Sequence, residues 1–541
     1  MADSAHSSPA AATGPTRHAS PWSAFGVRVF RWLWLATVVS NVGTWMYNAA
    51  SAWLMTSLDA DPFTVSLVQV ADSLPLFLLA LPSGAIADMI DKRRFILALE
   101  IAATLAGAVF ALLVQIHRVT PATLLLFIFL VGALGAIETP AWQAITPLLV
   151  PKPVLSSAIA LNSVGVNVSR VIGPALAGVL ILASGIASPF WVNAVSNLGV
   201  IAVILRWRPP ARPTPTLPPE HLSGAIRAGL RYAIHHRALR AALARAAGFF
   251  LFASAYWALL PVLARTQLHG GATLYGALLS VLGAGGIAGA LVLPRLRAHL
   301  GADRMVALGE LGTAAALALF ALAHSAPLAL LACAVAGVSW IIVLATLNVS
   351  AQLSLPEWVR ARGLAVYVTI FFGTMSLGSA CWGWVGGHFG LEPAQLLAAA
   401  GALLVIPVSR RWPLLSGAEP ADLTPSMHWP EPVLARTIEG DAGPVLVSVE
   451  YHIDPKDREA FIAALTRLAR VRRRDGAYAW GVFEDTEHSG RILETFLVDS
   501  WLEHMRQHQR VTHADRILED HVRRFTRAAP HVTHYVSAIG S

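Results

Sequence analysis

Long apolar runs, broken by short polar hairpins, occupy most of residues 29–409. Each approaches or exceeds the ~20 residues that cross a bilayer as a helix. The runs predict twelve spans, near 29–56, 64–88, 95–116, 122–149, 156–184, 188–206, 243–265, 273–296, 304–324, 326–353, 361–387 and 391–409. Between 305 and 353 only His324 to Pro327 punctuates the pattern. After a Pro-rich stretch near 413–444 the pattern becomes that of a soluble domain. Val445, Val447, Val449 and Tyr451 alternate as a strand, and Pro455 to Arg474 reads as a helix. Tyr478 to Val482 and Ile492 to Val498 alternate again, Trp501 to Phe525 is mostly helical, and Tyr535-Val536 begins a last strand. That βαββαβ order predicts a ferredoxin-like α+β domain.

Composition narrows the class. Of 541 residues 55% are hydrophobic and 13% charged, about half the ~25% charge of soluble domains. Mean hydropathy is +0.58. A soluble fold could not hide that much apolar surface. Cys333 and Cys381 lie in apolar runs and read as packing residues, with no disulfide framework or metal site implied. The first 20 residues are polar, without a short apolar core, and read as a disordered cytoplasmic tail.

The net charge of +8 is first a topology signal and only weakly a nucleic-acid signal. Arg28 and Arg31 precede span 1. Lys92 to Arg94 follow span 2, Lys152 follows span 4, and Arg206, Arg208, Arg212, Arg227, Arg231, Arg237 and Arg240 follow span 6. Arg295 and Arg297, Arg360, and Arg410 and Arg411 follow spans 8, 10 and 12. Every even loop is basic, which places both ends in the cytoplasm.

The second half repeats the first. Arg94, Glu100 and Phe110 return 210 residues later as Arg304, Glu310 and Phe320. Val150-Pro151 and Gly173 return as Leu355-Pro356 and Gly378, 205 residues later. Two six-helix repeats predict two bundles around a central cavity, the plan of a secondary transporter. The expected divisions are a tail 1–27, a bundle 28–206, a linker loop 207–240, a bundle 241–412, a linker 413–444 and the α+β domain 445–541.

The segment Gly84-Ala-Ile-Ala-Asp88-Met-Ile-Asp91-Lys92-Arg93-Arg94 resembles the loop 2–3 motif of the major facilitator superfamily, with Asp91 in place of its second glycine. Thr139 to Ala144, Arg170 to Gly178, Pro356 to Gly363 and Ser500 to Gln507 resemble that superfamily's transmembrane secretion effector branch. The likeness covers nearly the whole chain after residue 22. It implies a twelve-helix exporter that uses protons and carries a small molecule such as a siderophore, antibiotic or metabolite. The C-terminal region is similar to the dimeric α/β-barrel modules related to antibiotic-biosynthesis monooxygenases. That likeness implies a dimerisation or regulatory role, with no cofactor. A membrane-tethered enzyme and an importer on the same fold are the alternatives.

Candidate residues follow. Asp88 is placed to cap the cytoplasmic N-terminus of span 11 and latch the halves; the plain alternative is a loop carboxylate. Gly173, Pro174 and Gly178 interrupt span 5, as a functional element or a packing kink. Ionisable groups within spans are costly, so Asp72 and Glu138 are proton-coupling candidates. Arg170 lies at Glu138's depth and is expected to pair with it or meet substrate. Glu100 and Glu310 are expected to pair with the basic loops. Asn41, Trp45 and Asn48 share one face of span 1. With Trp142, Tyr256, Trp257, Trp340 and Asn348 they are the cavity candidates, against ordinary packing. Gly283 to Gly289 follows no strand and reads as helix packing, not a dinucleotide loop. No Gly-x-x-x-x-Gly-Lys-Ser/Thr loop occurs. In the C-terminal region His504 and His508 share a helix face without the glutamate of a zinc-protease motif, and Glu450, His452 and Glu494 sit on strands.

Overall fold

The computed structural model describes residues 22–208, 222–414, 422–430, 432, 434, 438–440 and 442–538. Within them only the backbone is described for 84–89, 152 and 222–225. The first half contains α1 (Arg28–Leu58), α2 (Pro62–Met89), α3 (Lys92–Gln115), α4 (Pro121–Leu149), α5 (Leu155–Ser184) and α6 (Ser188–Arg206). A short helix, α7 (Leu222–His235), precedes α8 (Arg237–Val262), α9 (Ala272–His299), α10 (Ala302–Ala321), α11 (Ala326–Leu353), α12 (Arg360–Phe389) and α13 (Leu391–Ser409).

Side chains start several of these helices. Asp61 accepts the Thr64 amide at 2.9 Å, Asp91 the Arg94 amide at 2.8 Å, and Thr120 the Thr123 amide at 3.2 Å. Each satisfies an amide that lacks a helical partner. Asp91, the departure from the loop 2–3 motif, is thus the cap of α3. Among the described residues, eleven helices are long and apolar enough to cross a membrane. The twelfth expected span, α1, is 31 residues long. Asn41, Thr44, Asn48 and Ser51 dilute its apolarity. α7 lies where a plain loop was expected. Its buried Ala228, Tyr232 and Ala233 follow helical spacing.

The halves meet along two helix pairs, α2 with α12 and α5 with α9. Ser73 and Ser376 join the first pair, oxygen to oxygen at 2.7 Å. The second pair crosses on small residues. A Cβ on Gly178 would lie 2.7 Å from the Ala272 carbonyl oxygen, and one on Gly276 would lie 2.4 Å from that of Pro174. The span 5 motif therefore sits where backbones of the two halves touch.

The C-terminal domain contains β1 (Val445–His452), α14 (Arg458–Asp475), β2 (Ala479–Glu484), β3 (Arg491–Val498), α15 (Trp501–Arg510), α16 (His513–Arg523) and β4 (His531–Val536). Its sheet is antiparallel throughout, in the order β2-β3-β1-β4. Val445, Val447, Val449 and Tyr451 alternate inward against Phe461, Leu465 and Leu468 of α14. The helix expected over 501–525 breaks at Val511-Thr512, because Thr512 and Asp515 form a reciprocal capping box that starts α16. β4 begins four residues before the expected point, at the sheet's edge, where burial alternation is weak.

This domain is docked on α7. Arg231 pairs with Glu503 at 3.0 Å and donates to the Arg474 carbonyl. The Arg474 guanidinium lies 5.5 Å from the Tyr232 ring centre, and that of Arg510 lies 4.5 Å from the Trp358 ring.

Candidate functional site

A cavity of about 350 Å³ lies between the membrane halves. Two helical faces with i, i+3, i+4, i+7 spacing build one side of it. α1 supplies Trp45, Asn48, Ala49 and Ala52, and α2 supplies Val65, Val68, Gln69 and Asp72. Arg170 enters from α5, Trp257 from α8, Tyr275 from α9, Trp340 from α11, and Phe371 and Phe372 from α12. The aromatic wall is contiguous. Trp257 and Trp340 meet edge-on with ring centres 5.5 Å apart, and Phe371 lies 6.1 Å from Trp340. Repeated phenylalanines and tryptophans on facing helices leave a surface that accepts apolar solutes by area burial.

Asp72 and Arg170 are the charged residues on this wall. The Arg170 guanidinium lies 5.2 Å from the Trp45 ring centre. Its Nε is buried without a hydrogen-bond partner among the described residues. The expected pair with Glu138 is not formed among them. Glu138 faces another way, accepting from Trp142 Nε1 at 2.7 Å and hydrogen-bonding Glu100. The expectation that Glu100 pairs with a basic loop fails for the same reason: it is buried beside Glu138. Glu310 is buried with neither oxygen hydrogen-bonded among the described residues, and Arg245 is the cation that acts on it.

The remaining candidates divide. Trp45, Asn48, Trp257 and Trp340 line the cavity. Asn41, one turn before Trp45, and Asn348, which accepts from Gln352, do not. Tyr256 is fully buried beside Phe320 and Trp340, and Trp142 packs in the core of the first half. Gly84 and Asp88 lie in the segment whose side chains are outside the described residues. Arg93 donates to the Ile204 and Leu205 carbonyls at 3.0 and 2.7 Å, closing the end of α6. Arg94 is exposed, and Lys92 is half-buried at the start of α3. Sequence reasoning missed Gln69, Tyr275, Phe371 and Phe372. Gln69 was legible from its spacing to Asp72. The others needed the packing of the two halves.

Arg245, buried in α8, was also missed. It pairs with Asp303 at 2.8 Å and donates to the Ser409 and Trp412 carbonyls, closing α13 as Arg93 closes α6. A lone arginine inside an apolar run was the available signal.

In the C-terminal domain the strand acids do not converge. Glu450 pairs with Arg491 at 2.8 Å and lies near His452. Glu494, on the other face, accepts from Tyr451, Trp480 and Arg472. Burial pushes Glu519 up, but the Arg472 guanidinium and hydrogen bonds from His428 and Trp429 outweigh it and bring the carboxyl to about 2. Among the described residues no group of three or more His, Cys, Asp or Glu is placed to hold a metal ion.

Residues 19–541 match the transmembrane secretion effector family. The staphyloferrin A transporter of Staphylococcus aureus is 29% identical over 272 residues, 49% of this chain and 66% of that protein. The chain thus spans just under two thirds of that relative's length. The multidrug efflux pump Tap of Mycolicibacterium fortuitum is 23% identical, over 68% of this chain and 92% of its own. The enterobactin exporter EntS of Citrobacter koseri is 25% identical, over 70% and 89%. In structure, an auto-inhibited POT family peptide transporter aligns with a TM-score of 0.60 at 13% identity, covering 73% of this chain and 99% of its own. A bacterial homologue of the lysosomal transporter Spinster, inward-facing and unoccupied, gives 0.55 at 14% identity, covering 71% and 98%. These solved structures share the fold. With the family matched along nearly all its length, this chain belongs to the transmembrane secretion effector family, multi-pass transporters of the major facilitator superfamily.

Proposed function

We propose that this protein exports a bulky, largely apolar small molecule across a bacterial inner membrane in exchange for protons. The carrying observation is the cavity between the halves, walled by Trp45, Trp257, Trp340, Phe371 and Phe372 with Asp72 and Arg170 as its charged residues. Such walls suit a siderophore, antibiotic or metabolite with ring or acyl surface and few polar groups. Relatives named as exporters and efflux pumps support the outward direction. Outward pumping needs energy, and the membrane potential supplies about 2.3 kcal/mol per charge at 100 mV. Asp72, which has no hydrogen bond among the described residues, is the proton carrier that exchanges with solute, and Arg170 is the cation in the same lining. The Glu100–Glu138 pair holds a second proton within the first half. Asp88 latches the halves while the cavity faces out. The C-terminal domain dimerises through its helix-free sheet face, where Phe483 and Tyr535 are exposed.

Everted membrane vesicles carrying a pH-gradient dye test the coupling. Adding a transported siderophore or macrolide should collapse part of the gradient in the wild type. Asp72→Asn and Glu138→Gln should abolish the response while solute binding stays measurable. Uptake that survives an uncoupler unchanged would remove proton exchange from the reading.

A further inference from the structure

The C-terminal domain holds a cavity of about 940 Å³, larger than the 350 Å³ between the membrane halves. It lies on the helix-covered face of the sheet, between β1 and β4 on one side and α15 on the other. The register explains the apolar wall: Val449 lies opposite Val532, and Val445 opposite Val536, so one row of side chains crosses both strands. Phe496 and Trp501 add aromatic surface.

The polar part of the lining is unusual in kind. His504, His508 and His534 cluster, with ring centres 5.0 Å and 4.7 Å from His504. The facing Nε2 atoms of His504 and His508 are 3.3 Å apart. His534 makes ring contacts only, among the described residues. Burial, with the nearby His534, holds the first two neutral, at about 3 and 4. The inner charged groups are engaged with one another: Arg472 is held by Glu519 at 2.9 Å and by Glu494, and Glu519 also accepts from His428 at 2.8 Å. Arg523 and His531 are exposed at the edge.

We propose that this cavity is a binding site for an uncharged, multi-ring aromatic molecule bearing hydroxyl or carbonyl groups. A charged ligand would find no free buried partner against apolar walls, because Arg472 is taken by two carboxylates, and Glu519 and Glu494 are further hydrogen-bonded to His428, Trp429, Tyr451 and Trp480. A neutral imidazole both donates and accepts, so His534, which makes ring contacts only, suits hydroxyl and carbonyl oxygens, while His504 is already bonded to Gln507 and His508. Valine and aromatic surface gains most from burying flat rings. The volume is that of a site for a drug-sized molecule. The site stands apart from the membrane cavity and does not depend on the export reading.

Photolabelling of the full chain in lipid nanodiscs tests this. The probe is 4-(hydroxymethyl)benzophenone, an uncharged two-ring ketone alcohol that inserts into nearby C–H bonds on irradiation. Peptide mass spectrometry should find saturable labels on β1, α15 and β4, and 4-(hydroxymethyl)biphenyl should compete them away. Val532→Trp, on the edge strand, should block the site. His534→Phe keeps an aromatic ring but removes the ring nitrogens that have no hydrogen-bond partner among the described residues, and should raise the half-saturating concentration about tenfold. The competition arm needs no variant. Labels that are unsaturable, confined to the membrane helices, or unchanged in a folded Val532→Trp chain would overturn the proposal.

Discussion

Glu519 shows how one side chain can hold a fold. It takes hydrogen bonds from Arg472, His428 and Trp429, all of them in the lining of the C-terminal domain's cavity. Glu519→Gln removes the nearer of the two carboxylates that hold Arg472, leaving Glu494 at 3.4 Å, and the loss of a buried charged hydrogen bond costs about 1.5–3 kcal/mol. The C-terminal domain of that variant should become protease-sensitive at a markedly lower denaturant concentration. Acid should act in the same direction. Glu519 sits at about 2 against an ordinary 4.5, so its contribution is complete above 4.5 and is lost as pH falls towards 2. His504 and His508 sit at about 3 and 4 against 6.5, so the unfolded chain binds their protons first. Their contribution is full above 6.5 and declines below it. Limited proteolysis of the full chain should therefore show this domain loosening as pH drops from 6.5 towards 4, with a shallower decline in His504→Phe. Protection that stays flat through that window would contradict the assigned burial. In the membrane part, Arg245→Ala should lower the melting temperature, because the Ser409 and Trp412 carbonyls and Asp303 lose their donor, worth about 2–3 kcal/mol.

Among elements, the pairing of α5 with α9 is where the halves come closest. Pro174 and Gly178 lie on one helix and Gly276 on the other, with backbone in contact. Gly276→Val must push the helices apart, since even a single Cβ would lie 2.4 Å from the Pro174 carbonyl oxygen. Transport should fall at least tenfold, and cysteine cross-linking between the two helices should weaken. An unaltered cross-link with full transport would assign the glycines to incidental packing. α7 is the other decisive element. Arg231 joins it to Glu503 on α15. Arg231→Glu should repel that carboxylate and expose α15 to hydrogen exchange, while adding Glu503→Gln should remove the repulsion and recover part of the protection. Independent effects of the two substitutions would show that the docking rests elsewhere.

For the molecule as a whole, topology is the most direct expectation. Basic residues in every even loop place residues 10 and 541 on the cytoplasmic side and 186–189 on the opposite side. Accessibility of engineered cysteines to an impermeant thiol reagent checks all three positions, and an outward-facing residue 541 would break the alternation. Docking of the C-terminal domain on α7 gives that domain a fixed place beside the transporter. If it also dimerises through the open sheet face, then Tyr535→Arg should turn a dimer into a monomer by light scattering, with transport per chain unchanged.

What the sequence determined by itself was one-dimensional. Apolar length set the spans and arginine placement set their expected sidedness. The offset between Glu100 and Glu310 revealed the duplication, and period-two alternation at Val445 to Tyr451 revealed the sheet. Each signal lies within one element or a fixed distance along the chain. Asp72, Trp45 and Trp340 were legible as candidates because polar or bulky residues inside apolar runs are conspicuous. Which of them meet was decided only in three dimensions. Glu138 turned to Glu100 and not to Arg170, because neighbouring depth along two helices says nothing about which faces oppose each other. The helix α7 was hidden because its buried positions are mostly alanine and glycine, too small to register as an apolar face. The histidine-lined cavity was hidden for a related reason. His534 joins His504 and His508 only through the pairing of β4 with β1, a contact between residues more than eighty positions apart.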